Sequence, residues 1–191
     1  MATDGSYKDG EAGSAVIIQA MTAEEDRCIR FKFDGKQSVA RAEAYAILAA
    51  LHRSTASRDV LIWTDSLNTM NAINDMQQII KHSPLPDRFI RTTIETTSII
   101  LAIINRIETR QSRGGNTDIR WVHSHAQGEH TLEEQLLNDE ADRHAERARR
   151  GEVTITQRQE CFRFLPIFYL TPKGTREVVE CNRNLMRTQI G

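Results

Sequence analysis

"VARAEAYAILAALHRSTASRDVLIWTDS", residues 39–66, contains the switch that decides the fold. Its first half places Ala42, Ala46, Ala49 and Ala50 with Leu48 and Leu51 on one helical stripe of small apolar residues. Its second half, "DVLIWT" (59–64), is an apolar run of strand length that stops at Asp65. A strand that follows a helix in this way reads as a crossover to a parallel neighbour. Upstream the chain alternates like sheet. "TDGSY" (3–7) is followed by a turn expected at "GEAG" (10–13), then "SAVIIQA" (14–20), the polar link "MTAEEDR", and "CIRFKF" (28–33). Three strands joined by short turns run antiparallel. The pattern therefore predicts three antiparallel strands, then a helical crossover into a parallel pair.

Downstream, "SLNTMNAINDMQQII" (66–80) reads as a helix with Ser66 as its N-cap, broken at Pro84 and Pro86. A long helix is expected from about Asp87 to Arg110, with "IILAII" as its core stretch and Gly114 and Gly115 as its stop. "IRWV" (119–122) is a short strand, and after the loop "HSHAQGEHT" a last helix runs from about Leu132 to Arg150. The order βββ-α-β-α-α-β-α belongs to an α/β protein whose sheet has mixed strand directions.

A chain of 191 residues with 39% hydrophobic and 27% charged residues is one globular domain with room for an appendage. Its net charge of -1 neither demands nor excludes nucleic acid, so the distribution of charge matters more than the total. Cys28, Cys161 and Cys181 are far apart and form no Cys-x-x-Cys pair, which argues against a disulfide framework or a zinc knuckle and for a reducing compartment. No signal peptide is evident, and "SIILAIINRI" (98–107) is too short and interrupted to span a bilayer. The expectation is a soluble intracellular protein, cytoplasmic or nuclear, with no membrane partner.

After Gly151 the composition shifts. From Arg143 to Gly191 there are ten Lys/Arg against five Asp/Glu. "CFRFLPIFYL" (161–170), "TPKG" and "REVVEC" are expected to form a hairpin outside the main domain. The division is 1–150 for the main domain and 151–191 for a basic, aromatic extension. Its aromatic residues have three candidate partners: this domain, a neighbouring domain of a longer polyprotein, or another chain joined by strand addition.

Four acids stand where an α/β sheet gathers ligands, beyond strand ends. Asp65 ends its strand and Asp4 lies on the first. Glu43 is the only acid of its Ala-rich helix, and Asp142 lies at the edge of the small-residue stripe Ala141, Ala145 and Ala148, four residues after Asn138. Taken singly, each has an ordinary reading: a turn, an N-cap or a solvated helix acid. Together they would repel one another unless cations neutralised them. Hard oxygen ligands suit Mg²⁺ or Mn²⁺, and two such ions can clamp an in-line phosphodiester displacement. Zinc is the poorer reading of the His123, His125 and His130 cluster, with so many acids and no cysteine nearby. His144 reads as solvent-facing, and Trp63 and Trp121 as core.

"TDGS", "RAEAYAILAAL", "WTDS" and "WVHSHAQGEHTLEEQLLNDEADRHA" resemble, in order and spacing over about residues 3–150, the successive motifs of the ribonuclease H family, and most of all its retroelement and reverse-transcriptase-type domains. The resemblance implies a ribonuclease H-like five-stranded mixed sheet flanked by helices. It also implies metal-dependent cleavage of the RNA strand of an RNA–DNA hybrid. It assigns Asp4, Glu43, Asp65 and Asp142 to two metal ions, and Asp142, rather than Asp139 or Glu140, as the fourth ligand. His125 matches the mobile histidine that aids proton transfer or product release. Ser6, Arg41 and Ser66 match positions along the substrate groove. Some positions depart from the pattern. Only Met1, Ala2 and Thr3 precede Asp4, Leu67 stands where many relatives are polar, and Val39 and Ala40 stand where bacterial relatives often carry asparagine. Two rival readings are a catalytically weak or inactive binding module of the same fold, and a DNA-cutting or strand-transferring relative.

Overall fold

The computed structural model describes residues 1–19, 27–82, 94–123 and 132–154, and the strands at 167–170 and 176–179. Strands β1 (Ala2–Lys8), β2 (Glu11–Ile17) and β3 (Cys28–Phe31) form the antiparallel part. Helix α1 (Val39–Arg53) leads to β4 (Val60–Thr64), α2 (Leu67–His82), α3 (Ile94–Ser112), β5 (Thr117–Trp121) and α4 (Leu132–Arg149). The sheet order is β3-β2-β1-β4-β5, with β4 parallel to both β1 and β5. The expected five-stranded mixed sheet is thus present, and the helix at 39–53 is its crossover. A separate antiparallel pair, β6 (Ile167–Leu170) and β7 (Arg176–Val179), lies within residues 151–191. No helix among the described residues is long and apolar enough to cross a membrane.

The first turn differs from expectation. Asp9 and Gly10 both take positive φ, 53° and 84°, and Lys8 pairs with Glu11. This is a two-residue hairpin, for which Asp-Gly is a strong local signal. Most of "GEAG" therefore lies inside β2, and the turn comes one step earlier.

Two cores sandwich the sheet. On one face α1, α2 and α3 bury Ile47, Leu51, Ile73, Met76, Ile99 and Ile103, so "IILAII" is core as its pattern predicts. On the other face α4 brings Leu137 and Ala141 against Ala2, Ile17, Trp63 and Val122. Gly5 and Gly13 set how closely the helices approach. A Cβ on Gly5 would lie 2.3 Å from the Glu43 amide nitrogen, and one on Gly13 would lie 2.1 Å from that of Arg149. Only a residue without a side chain admits either helix backbone there. Helix α1 is held further by the Ser38 N-cap and by a hydrogen bond from Ser14 Oγ to the Ala42 carbonyl at 2.8 Å.

β1 pairs with β4 at Ala2–Trp63 and Thr3–Thr64, then runs on alone beside β2. A gap therefore opens in the sheet beyond the end of β4. That gap holds the site.

Candidate metal centre

Asp4 sits on β1 at the first position past its pairing with β4, and Asp65 follows the last residue of β4. Glu43, in the second turn of α1, packs by its backbone onto Gly5. Since Gly5 turns toward α1, its neighbours Asp4 and Ser6 face α4 by the two-residue period of a strand. Glu43 still reaches Asp4, because past Thr64 no strand flanks β1 on that side. Carboxylate oxygens of Asp4, Glu43 and Asp65 come within 4.8 Å of one another, the one such group among the described residues. Asp4 is 5% exposed and Glu43 6%.

The environment raises the pKa of all three acids. Burial pushes the Asp4 carboxyl up to about 7, helped by the charges of Asp65 and Asp142 and opposed by the Gly5 amide and a hydrogen bond with Glu43. Glu43 is raised well above the usual range, chiefly by burial and then by Asp4 and Asp65. One Glu43 oxygen, Oε2, is buried with no hydrogen-bond partner among the described residues. Asp65 is raised as well, first by burial, with Asn138 opposing through a hydrogen bond from its side chain. Buried carboxylates without cationic partners lack what normally repays desolvation. An orphaned acceptor beside two more carboxylates fits a hard dication, which takes oxygen ligands and favours their charged form.

Asp142 is exposed on α4 and stands outside the tight group, although its charge reaches both Asp4 and Asp65. Asn138, one turn earlier, is buried at 3% and bonds Asp65, while its Oδ1 has no partner among the described residues. The sequence reading left Asn138 out of the site. Its signal was the four-residue spacing to Asp142, which puts both on one face.

The expected groove residues have internal partners. Ser66 Oγ donates to Thr69 Oγ1 at 2.8 Å and accepts from the Thr69 amide at 3.4 Å, as an N-cap does. Arg41 bonds the Tyr45 hydroxyl at 3.3 Å and stacks over the Phe33 and Tyr45 rings. Ser6 Oγ accepts from Arg149 Nε at 3.2 Å. Trp121 is a support of the site more than a core residue: it is half-buried, its Nε1 bonds the Asp65 carbonyl at 3.1 Å, and its ring meets that of His123. His144 is half-buried, not solvent-facing, and burial beside Arg30 and Arg147 lowers its pKa. His125 lies outside the described residues, as do His130 and the rest of 124–131.

A family model for RNase H matches residues 1–150. The chain belongs to the RNase H family. The sheet order and crossover described above are that family's fold, as the sequence resemblance implied. Among solved structures the chain is similar to the foamy viral protease–reverse transcriptase in complex with an RNA/DNA hybrid. There the identity is 17%, the TM-score 0.54, and the match covers 77% of this chain and 19% of that longer one. It is also similar to RNase H1 from the halophilic archaeon Halobacterium salinarum NRC-1, at 14% identity over 77% of this chain and 93% of that one, with a TM-score of 0.47. Among curated proteins, none matches the sequence.

Proposed function

We propose that this RNase H family member is a metal-dependent endoribonuclease that cleaves the RNA strand of RNA–DNA hybrids. The observation that carries this reading is the convergence of Asp4, Glu43 and Asp65 at a gap in the sheet, two of them buried and one with an orphaned oxygen. Binding alone gives no reason to bury mutually repelling acids. Mg²⁺ or Mn²⁺, two ions per site, would supply Lewis acidity and a template for in-line displacement. Asp4, Glu43 and Asp65 hold the cations and Asp142 completes the set from α4. Asn138 orients Asp65 by fixing one of its oxygens, a role that outer partners of ligating carboxylates commonly take. His125 moves a proton to the leaving oxygen or assists product release. Ser6, Arg41 and Ser66 line the groove, the latter two chiefly by shaping it. Selection of RNA rests on sensing the 2′-hydroxyl. In this reading residues 1–150 are the catalytic domain of retroelement type, and 151–191 form an extension that meets other domains.

The test is cleavage of an end-labelled RNA–DNA hybrid with Mg²⁺, Mn²⁺ or EDTA, beside single-stranded RNA and duplex DNA. Hybrid-specific cutting that EDTA abolishes is expected. A folded protein that binds hybrid in Mg²⁺ without cutting it would be a binding module instead, and cutting of duplex DNA would place it with the strand-transferring relatives.

A further inference from the structure

Strand β1 continues past the acids and carries Ser6 and then Lys8 on the face that bears Asp4, each two residues further along. Helix α4 covers this face. Its last turn docks where Gly13, the register partner of Ser6, leaves no side chain in the way. Arg149 projects there, on the flank of α4 that also bears Asn138 and Asp142. Its Nε donates to Ser6 Oγ at 3.2 Å and its Nη2 to Glu146 Oε1 at 3.3 Å, while Nη1 has no partner among the described residues. Glu146 does not neutralise it alone, since the same oxygen takes Arg150 at 2.6 Å. Glu11, opposite Lys8, is likewise engaged by Lys32. Arg149 and Lys8 thus bring two positive charges to this stretch of β1 beside a hydroxyl, about two to four strand residues from the acidic centre. Ser6 accepts from Arg149, so its own O–H remains to donate.

Building on the nuclease reading, we propose that Ser6, Lys8 and Arg149 form a phosphate-binding subsite that grips the nucleic-acid backbone beside the cleavage centre. A guanidinium edge with a hydroxyl is the donor fork that phosphate oxygens accept. The acidic centre attracts no polyanion by itself, so a neighbouring cationic anchor supplies the register in which a phosphodiester meets it. Arg149 is therefore a binding residue that the motif resemblance does not assign.

The experiment is anisotropy titration of a fluorescein-labelled RNA–DNA hybrid across a series of NaCl concentrations, with Ca²⁺ replacing Mg²⁺ so that the strand stays intact. Arg149→Met is expected to weaken binding about tenfold at low salt and to reduce the slope of log K against log salt by about 0.7 to 0.9, one phosphate contact. Arg149→Gln keeps a donor for Ser6 but no charge, and should show the same loss of slope with an unchanged melting temperature. Arg113→Met, at the far end of α3, is the cationic control and should leave the slope as it was. An unchanged slope in both Arg149 variants, with only the melting temperature lowered, would make Arg149 a strut and overturn the subsite. The same loss in Arg113→Met would overturn it too. If wild type neither binds nor cuts the hybrid, the nuclease reading itself falls and the subsite with it. Wild-type binding and cutting with Arg149 variants of unchanged slope sinks the subsite alone.

Discussion

The sheet buries charge at both of its ends and treats it in opposite ways. At the end away from the acids, Arg110 of α3 is fully buried and nearly every donor is used. Its Nε bonds Thr117 Oγ1 at 3.0 Å, its Nη1 the Ser54 hydroxyl at 2.6 Å and the Thr55 carbonyl at 3.0 Å, and its Nη2 the Arg58 carbonyl. The loop after α1 is pulled against α3 and β5, and Gly115 lets the chain pass under it, since a Cβ there would meet the Ala56 carbonyl oxygen at 2.2 Å. At the other end Asp4 and Glu43 are about as deeply buried, yet the groups that act on them are other carboxylates and the Gly5 amide, and one Glu43 oxygen has no hydrogen-bond partner among the described residues. A buried charge whose hydrogen bonds are complete is architecture. One left short by its own fold marks a place where something else completes it.

The sharpest way to break this contrast is Asp65→Asn. Hybrid cleavage is expected to fall by about a thousandfold or more, since transition-state charge stabilisation is lost. The melting temperature in EDTA should hold or rise, because one of the repelling acids is gone. A loss of activity matched by loss of folding would remove the asymmetry. The mirror experiment is Arg110→Met. It leaves several carbonyls and hydroxyls unpaired and should cost about 3–5 kcal/mol in urea unfolding, with cleavage per folded molecule unchanged.

A third prediction concerns pH. The Asp4 carboxyl rises from 3.8 to about 7 on folding, so the folded state binds the proton more tightly than the unfolded one. Its contribution is fully present below about pH 4 and is lost as pH climbs through about 7. Metal-free protein should therefore lose a few kcal/mol of unfolding free energy between about pH 4 and pH 8, with Glu43 and Asp65 shifting in the same direction. Saturating Mg²⁺ should flatten that slope, since a cation favours the ionised acids. Denaturant titrations with EDTA and with Mg²⁺ check both halves. The smallest expected effect is Asn138→Ala. Asp65 keeps its charge but loses its positioning bond, so Mn²⁺ affinity by calorimetry should fall about tenfold with little change in stability.

Much of this was legible in the chain. The Ala-rich stripe before "DVLIWT" announced the crossover, and the alternation before it announced the antiparallel strands, because burial on one face writes a period into the sequence. The acids at 4, 43 and 65 were legible as outliers, each standing where a pattern called for something apolar or for a turn. Other features left weaker traces. The Asp9–Gly10 turn was missed because "GEAG" carries competing turn residues one step later. Asn138 and Trp121 look like ordinary polar and aromatic positions until the residues they bond are brought beside them. Arg149 is one arginine of four in "RHAERARR", and nothing local separates it from its neighbours.

The sequence by itself therefore determined the order of elements, the mixed sheet and which acids were out of place, since period, propensity and composition are properties of short stretches. The tertiary structure alone decided that Asp4, Glu43 and Asp65 meet while Asp142 stands off, that Asn138 serves Asp65, and that Arg149 lies on Ser6. These are contacts between residues as many as 143 positions apart. They are set by two glycines that let helices close on strands and by a strand that ends one residue before its acid, and so by packing that no window of the sequence contains.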